Sequence, residues 1–344
     1  MSQDTMEKYI GVDLHKKTCY ITVMNKSGQI EKQTEIANDV DEINSFFSPF
    51  VSSAKVAVES TLNWIPFYEQ IESLGCDVVL SNPLQTKAVA AARIKNDKVD
   101  SKILADLLRT NFLPLSYVQP QETRDLKELI RQRVSYVELR TRIKNRIHSV
   151  LFKTGLKHEF TNLFGKAGRK WLVELDIRPI YRQELDRYLV TLDYLNKQVE
   201  ELSSVIELTA KTDYDCQLLM TIPGIGFFSA LVIKSEIGDI NRFANGNKLC
   251  SYAGLIPSTY ASAEKVRHGR ITKRGSKWLR MTLIDAVTSG SRNNNKLSVF
   301  YKKLKKNKGT GKAKVATARK MCSIIFAMLS DKQPFREFVP IKQR

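Results

Sequence analysis

The sequence predicts an α/β domain followed by long helices and then a mainly helical C-terminal region. Short segments rich in β-branched residues alternate with amphipathic stretches up to about residue 115, and apolar residues then recur at helical spacing from 122 to 210. A chain of 344 residues is longer than one hydrophobic core usually supports. We therefore expect three domains, covering residues 1–115, 116–212 and 213–344.

The first domain reads as three neighbouring strands followed by alternating helix and strand. Strands are expected at 8–14 and 18–24, and the turn NKSG precedes a third strand that runs through Ile36. A helix at about 40–49, the buried strand KVAVES, the helix WIPFYEQIESLG and the strand CDVVLSNP follow in order. Strands followed by alternating helices and strands are typical of a layered α/β domain.

Four carboxylates occupy strand ends and a helix start in this layout, namely Asp13, Glu59, Asp97 and Asp100. Asp13 comes late in the first strand, Glu59 ends the fourth, and the two later aspartates are spaced to share one helical face. Carboxylate oxygens are the ligands that Mg²⁺ prefers, and two such ions can hold the reacting oxygens of a phosphodiester. The alternative is that Asp97 or Asp100 merely caps its helix. His15 follows Asp13 by two residues and could touch this site, but it is expected to be a supporting or surface residue.

Two long helical patterns make up the middle of the chain. Between 185 and 206 apolar residues recur at spacings of three and four, and a less regular series runs from 126 to 150. Joined through FTNLFGKAGRKW, the two helices are expected to form an antiparallel coiled-coil arm. The arginines of the first helix are either solvated charge or nucleic-acid backbone contacts.

The net charge of +19 is concentrated in one segment. Residues 261–320 contain 18 lysines and arginines against the two acids Glu264 and Asp285. Such a cluster indicates a polyanionic partner, because neutralising phosphates releases counterions. A solvated charged face is the alternative.

Composition excludes several classes of protein. The 42% hydrophobic and 26% charged content is that of a globular protein, and no apolar run reaches the roughly 18 residues of a membrane span. The polar start MSQDTMEKY lacks a signal-peptide core, so we expect a cytoplasmic protein with no membrane partner. The cysteines show no zinc-ligand spacing and are expected to be reduced core thiols: Cys19, Cys76, Cys216, Cys250 and Cys322.

The motif PGIG at 223–226 separates two helical stretches. A helical hairpin with such a turn offers the N–H groups around Gly224 and Gly226 to a nucleic-acid phosphate. The alternative is that the glycines allow close helix packing.

Hydroxyl and basic side chains are combined in the block from 249 to 286. Ser258, Thr259, Tyr260 and Ser262 are candidate nucleophiles, and guanidinium groups that can stabilise a reacting phosphate follow them closely. Chemistry alone favours none of these hydroxyls over an ordinary surface role. His268 is expected to be a surface or supporting residue.

The order of these motifs resembles a known family. GVDLHKK, AVES and KNDKVDSKILADLL, followed by PGIG, GLIP and HGRITKRGSKWLR, are similar to the DEDD transposases of bacterial and archaeal insertion sequences, the one-ten family of bridge-RNA-guided recombinases. The resemblance spans nearly the whole chain. It implies an N-terminal RuvC/RNase H-like domain, a coiled-coil arm and a C-terminal transposase domain.

The resemblance also implies roles for individual residues. Asp13, Glu59, Asp97 and Asp100 match the metal-binding tetrad that holds Mg²⁺, and Ser262 matches the serine that forms a phosphoserine link to DNA. Ala263 stands where the family usually has glycine, so Ser258 remains a second candidate. The implied partners are donor and target double-stranded DNA, a structured guide (bridge) RNA, and further copies of the chain in a dimer or tetramer.

Nucleic-acid contacts are expected at basic residues of the C-terminal region and at the PGIG glycines. These residues are Arg267, Arg270, Lys273, Arg274, Lys277, Arg280, Lys302, Lys303, Lys305, Lys306, Lys308, Gly224 and Gly226. Two other functions stay open: a RuvC-like endonuclease or junction resolvase that uses water as nucleophile, and a non-catalytic nucleic-acid-binding scaffold.

Overall fold

A computed structural model describes residues 7–61, 63–90, 96–262, 265–292 and 295–335. For residues 260–262, 265, 266 and 268 it describes the backbone only. The chain divides into two compact units, Met1–Val118 and Gln119–Arg344. Within the described ranges no helix is long and apolar enough to cross a membrane. All five cysteines are buried and free, as expected from their spacing.

The first unit is built on a six-stranded mixed sheet with strand order β3-β2-β1-β4-β5-β6. Its strands are β1 (Lys8–Leu14), β2 (Thr18–Met24), β3 (Ile30–Ala37), β4 (Ala54–Glu59), β5 (Asp77–Ser81) and the short β6 (Leu115–Ser116). β1, β2 and β3 pair antiparallel, whereas β4 runs parallel to β1 and β5 runs parallel to β4. The sheet therefore confirms the predicted α/β layer.

Helices cover both faces of this sheet. They are α1 (Val40–Phe47), α2 (Trp64–Ser73), α3 (Pro83–Val89) and α4 (Asp97–Arg109). Ile10 and Val12 of β1 share a buried core with Phe47 of α1 and Phe67 of α2. On the opposite face, Ala57 of β4 is buried with the α4 side chain Leu104. Because successive strand residues alternate between faces, each strand presents one set of residues to α4 and the other to α1 and α2.

The second unit begins with two long helices, α5 (Gln121–Lys153) and α7 (Pro179–Thr212), joined through α6 (Lys166–Glu174). They run antiparallel: near one end Arg133 donates a hydrogen bond to Ser203, and near the other Ile147 is buried with Leu185 and Leu189. On α7 the side chains of Leu185, Leu189 and Leu192 are buried, whereas Tyr188 is only partly buried.

The remaining elements enclose one further apolar core. They are α8 (Tyr214–Met220), α9 (Phe227–Ile237), α10 (Gly246–Tyr252), β7 (Pro257–Ser262), β8 (Lys265–Ile271), α11 (Lys277–Gly290), α12 (Lys296–Lys308) and α13 (Thr310–Asp331). This core also contains Ile130 of α5 and Ile206 of α7, so the long helices and the C-terminal helices belong to the same compact unit. The antiparallel β7–β8 hairpin was not anticipated from the sequence.

Candidate active site

The parallel pairing of β1 and β4 sets Asp13 beside Glu59. The paired residues run from Lys8 with Ala54 to Val12 with Val58, so Asp13 and Glu59 follow at the same level. Both side chains belong to the set that faces α4, because they lie two residues beyond Gly11 and Ala57. The two carboxylates therefore emerge side by side where neighbouring parallel strands end.

α4 supplies the other two carboxylates from its first turn. Its N-cap is Asn96, whose side-chain oxygen accepts a hydrogen bond from the Val99 N–H at 2.8 Å. Neither Asp97 nor Asp100 performs the capping that the sequence left open. Negative charge in a first helical turn is stabilised by the helix dipole, so both carboxylates sit where an anion is favoured.

A glycine and a buried hydroxyl pair hold α4 against the sheet. A Cβ on Gly11 would lie 2.0 Å from the Ser101 carbonyl oxygen and 2.5 Å from the Ala105 nitrogen, so any larger residue would displace the helix. In addition, the Thr22 hydroxyl of β2 and the Ser101 hydroxyl of α4 are hydrogen-bonded at 2.8 Å, and both residues are fully buried. These contacts fix the distance between the aspartates of α4 and the strand ends.

The carboxylates fall into two groups that share Asp13. Asp13, Glu59 and Asp100 line a cleft of about 510 Å³. On the other side, His15 Nε2 lies 3.4 Å from Asp13 Oδ2 and 3.3 Å from Asp97 Oδ2. All four acids predicted from the sequence thus gather at one edge of the sheet, with His15 among them.

The far wall of the cleft comes from α3, which sequence reasoning missed. Pro83, Leu84, Thr86, Lys87 and Ala90 line it together with the carboxylates. The segment NPLQTK gave no functional pattern beyond the proline that ends β5. These side chains reach the acids because α3 directly follows β5, at the edge of the sheet where the acids lie.

Charge and burial at the site favour a positive ligand. Asp13 is only 9% exposed, and a buried carboxylate requires partners to offset its desolvation. Burial, together with the Asp13 charge, raises the pKa of the neighbouring Cys19 thiol to about 12. Thr86 lines the cleft while its buried hydroxyl has no hydrogen-bond partner within the described parts of the chain.

The donor set of the cleft suits a hard divalent cation. Three carboxylates line it, and such oxygen ligands are what Mg²⁺ and Mn²⁺ bind. Asp13, Glu59 and Asp100 are therefore the residues that could hold a metal in the cleft. Asp13, His15 and Asp97 form a second group, whose ligand atoms lie within 4.8 Å of one another.

The candidate serines lie on the β7–β8 hairpin. Ser258 sits at an irregularity in the pairing, and its hydroxyl donates a hydrogen bond to the Arg270 carbonyl at 3.1 Å. Ser262 is the last residue of β7 and pairs with Lys265 beside the hairpin tip. The Ser262 side chain and the neighbouring Ala263 lie outside the described residues, as do the side chains of Tyr260 and His268.

Hydrogen bonds hold the basic loop between β8 and α11, residues 272–276, in place. Arg280 donates from Nη1 to the carbonyl oxygens of Ala253 and Lys273, at 3.1 and 3.2 Å. Ser276 caps α11 and also donates a hydrogen bond to the buried Glu236 carboxylate at 2.8 Å. Arg280 thus has a structural role in addition to the nucleic-acid contact predicted for it.

The other residues predicted as basic contacts are all exposed, and they lie on several elements. Exposed side chains occur on β8, in the following loop, at the start of α11 and along α12: Arg267, Arg270, Lys273, Arg274, Lys277, Lys302, Lys303, Lys305, Lys306 and Lys308. We call this set the basic surface. No acidic side chain lies in α12, so its lysines are unopposed within their own helix.

The two glycines of PGIG have different surroundings. Gly224 has a φ of +98°, and a Cβ there would lie 2.3 Å from the Ala286 carbonyl oxygen of α11. Close helix packing therefore accounts for Gly224. Gly226 is exposed and precedes α9, and a Cβ there would meet no atom within 4 Å. Its N–H remains a candidate phosphate donor.

Two family models match this chain. One, of the DEDD transposases named for IS110 and described as Transposase, matches residues 10–155 and so spans all four carboxylates. The other, described as Transposase IS116/IS110/IS902 family, matches residues 216–302 and spans PGIG and both candidate serines. Most of the α12 lysines lie beyond the second match.

Several curated proteins are similar over most of their length. The transposase for insertion sequence element IS1111A of Coxiella burnetii is 24% identical, over 96% of this chain and 91% of its own. The transposase for insertion sequence element IS1328 of Yersinia enterocolitica is 26% identical over 81% and 82%. The pilin gene-inverting protein of Moraxella lacunata is 26% identical over 95% and 97%.

Proposed function

Since the chain belongs to the IS110 family of DEDD insertion-sequence transposases, we propose that it recombines donor and target DNA through a phosphoserine intermediate. In this proposal Mg²⁺ held by the carboxylates assists the reaction, and a structured guide RNA selects the DNA sites. The observation that carries the proposal is that Asp13, Glu59 and Asp100 line one cleft.

The cleft contributes binding and charge to the reaction. When bound, Mg²⁺ would polarise the phosphate oxygens and offset the charge that develops on them. The carboxylates would hold that ion, and the close approach of α4 to Gly11 sets how far the α4 carboxylates lie from those of the strands. Lys87 in the cleft wall offers a positive charge to the DNA strand that enters the cleft.

Ser262 is proposed as the nucleophile. Its Oγ forms a bond to the DNA phosphorus while the bond to one deoxyribose oxygen breaks; the serine gives up its proton, and the departing oxygen gains one. Because the phosphodiester is conserved as a protein–DNA ester, a second sugar hydroxyl can later reverse the step without ATP. Ser262 lies on the hairpin that also carries Arg267 and Arg270 of the basic surface, and this position supports the role of nucleophile.

Guide RNA and DNA are proposed to bind through the basic surface. The exposed lysines of α12 are spaced along one helix and can follow a phosphate backbone without reading bases. Base pairing with the RNA would then carry sequence selectivity, as in other guided systems. In this proposal the protein acts in the cytoplasm, associated with the nucleoid when bound to DNA.

A homo-oligomer, joined through a coiled-coil arm, is the proposed active form. α7 buries one face against α5, yet its opposite face leaves Val190, Tyr194 and Leu208 more than half exposed. At 100° per residue these three side chains fall within one narrow stripe. An apolar stripe outside the arm supports contact with a second copy, in keeping with the dimer or tetramer that the resemblance implies.

A covalent adduct tests this function directly. Purified full-length protein is incubated with the element's RNA, end-labelled donor and target DNA and MgCl₂, then denatured and separated by electrophoresis. We expect a Mg²⁺-dependent protein–DNA band that Ser262→Ala abolishes and Ser258→Ala retains. Loss in Ser258→Ala alone would transfer the nucleophile to that residue. Cleavage without an adduct in any variant would support the water-using nuclease instead.

A further inference from the structure

Asp13 belongs to two groups of metal-ligating side chains that differ in chemistry. The cleft group contains only carboxylates, whereas the second group combines Asp13 and Asp97 with the imidazole of His15. We name this second group, Asp13, His15 and Asp97, the rim group. We propose that His15 is a nitrogen ligand of a divalent metal in the rim group, and that it makes this position favour Mn²⁺ over Mg²⁺. The inference rests on the proposed metal-dependent function.

The distances within the rim group are those of ligands around one ion. His15 Nε2 is 3.4 Å from Asp13 Oδ2 and 3.3 Å from Asp97 Oδ2. Metal bonds of about 2.1 Å hold adjacent ligand atoms roughly 3.0–3.4 Å apart in octahedral or tetrahedral sites. The ligand atoms of all three side chains also lie within 4.8 Å of one another, close enough for one ion to reach them.

The backbone of His15 is fixed on three sides. Its N–H donates to the Thr18 carbonyl at 2.9 Å, and its own carbonyl accepts hydrogen bonds from Asn38 at 2.8 Å and Asn63 at 3.0 Å. Two side-chain amides from separate parts of the unit thus hold one exposed turn residue. Such outer contacts are characteristic of residues whose side-chain position matters for ligand binding.

Exposure leaves the rim group open to an ion and its water. The side chains of His15 and Asp97 are 47% and 58% exposed, whereas that of Asp13 is 12% exposed. The buried carboxylate can face both groups, with the cleft on one side and the rim on the other. Asp13 would then bridge two unlike positions.

Ligand type gives the two positions different preferences. Mg²⁺ binds oxygen ligands and keeps several waters, while Mn²⁺ also binds oxygen ligands but, as a transition metal, accepts an imidazole nitrogen more readily than Mg²⁺ does. The cleft, with carboxylates alone, accepts either ion. At the rim, nitrogen ligation favours Mn²⁺, so the two positions would respond differently to the same mixture of ions.

Pulsed electron paramagnetic resonance with Mn²⁺ tests the nitrogen ligand. Full-length protein without nucleic acid is titrated with MnCl₂, bound ion is counted, and ¹⁴N modulation of the Mn²⁺ echo is recorded. The wild type should show ¹⁴N modulation. His15→Ala should lose it and bind rim Mn²⁺ at least about 10-fold more weakly, while cleft Mn²⁺ remains. Lys16→Ala, an exposed substitution in the same turn, should behave as wild type.

The outcomes separate this inference from the proposed function. Bound Mn²⁺ without ¹⁴N modulation in the wild type, or modulation that persists in His15→Ala, would overturn the His15 assignment and leave the carboxylate site intact. No Mn²⁺ binding in the wild type would overturn both. Competition with MgCl₂ adds a second readout: the Mg²⁺ concentration that displaces half of the Mn²⁺ should fall in His15→Ala. An unchanged value would contradict the proposed preference.

Discussion

The carboxylate cleft and the basic surface differ in how the fold supports them. The acids depend on strand register, on the Gly11 contact and on the Thr22–Ser101 hydrogen bond, all inside the first unit. The lysines of α12 that belong to the basic surface are exposed. Substitutions near the acids should therefore affect stability and chemistry together, whereas substitutions on the basic surface should affect binding alone.

The difference follows from what each region must do. A metal site requires ligand atoms placed to within a fraction of an ångström, which rigid sheet edges provide. Phosphate binding depends on the amount of positive charge and tolerates movement of each lysine. A residue's distance from the buried core thus indicates which function a substitution will disturb.

Removal of a cleft carboxylate should have the largest effect. Glu59→Gln keeps the shape but removes a ligand charge, and we expect the rate of adduct formation to fall by about 10²–10³ or more. Rates are measured at saturating DNA and MgCl₂. Glu35→Gln changes an exposed residue of β3 in the same way and should retain the wild-type rate. Equal losses in both variants would contradict the assignment of Glu59.

The Gly11 contact gives the second largest effect. Gly11→Ala forces α4 away from β1, because the added Cβ meets backbone atoms rather than a flexible side chain. We expect a loss of about 1–3 kcal/mol in the free energy of unfolding, together with weaker metal binding. Urea denaturation and Mn²⁺ titration measure both.

The matched control for that substitution is Gly226→Ala. A Cβ at Gly226 meets no atom within 4 Å, and its φ is negative, so stability should change little. If Gly11→Ala were as stable as Gly226→Ala and bound metal normally, the helix would not depend on this close approach.

Replacement of the α12 lysines should change binding and its salt dependence. With Lys302, Lys303, Lys305, Lys306 and Lys308 all replaced by alanine, the slope of log affinity against log salt should become shallower. The expected change is up to about 0.9 for each phosphate that the lysines no longer neutralise. Fluorescence anisotropy with labelled duplex DNA measures this slope.

The control for the lysine variant removes exposed positive charge elsewhere. Lys170→Ala combined with Lys197→Ala takes exposed lysines from α6 and α7 and should leave the slope close to that of the wild type. The basic surface has no binding role if the two variants have the same slope.

The buried hydroxyl pair should give the smallest effect. Thr22→Val and Ser101→Ala each remove one partner of the 2.8 Å bond, and the double-mutant coupling energy should be about 1 kcal/mol. Thermal or urea unfolding of the two single variants and the double variant supplies the cycle. A coupling energy of zero would mean that this bond does not hold α4 in place.

Much of the first unit follows from local sequence patterns. The strands that carry Asp13 and Glu59 were predictable because β-branched runs and turn residues bound them, and parallel pairing then brings the two acids together. Asn96 as the cap of α4 was missed, since an aspartate at the helix start has equal capping chemistry. The need for glycine at position 11 depends on a helix almost 90 residues later, which no local pattern records.

The cleft wall and the hairpin could not be predicted from the sequence either, each for a reason of its own. α3 reaches the acids only through the path of the chain, so Thr86 and Lys87 carry no recognisable spacing. The β7–β8 hairpin mixes polar and basic residues and lacks the apolar alternation typical of strands. Family resemblance, rather than a local pattern, singled out Ser262 within it.

One comparison tests the separation of chemistry from binding most directly. Asp13→Asn is assayed in parallel for DNA affinity by anisotropy and for Mg²⁺-dependent adduct formation at saturating DNA. We predict affinity within about twofold of the wild type and an adduct rate lowered by about 10²–10³ or more. An adduct rate close to that of the wild type, or a drop in affinity large enough to explain the missing adduct, would contradict the separation.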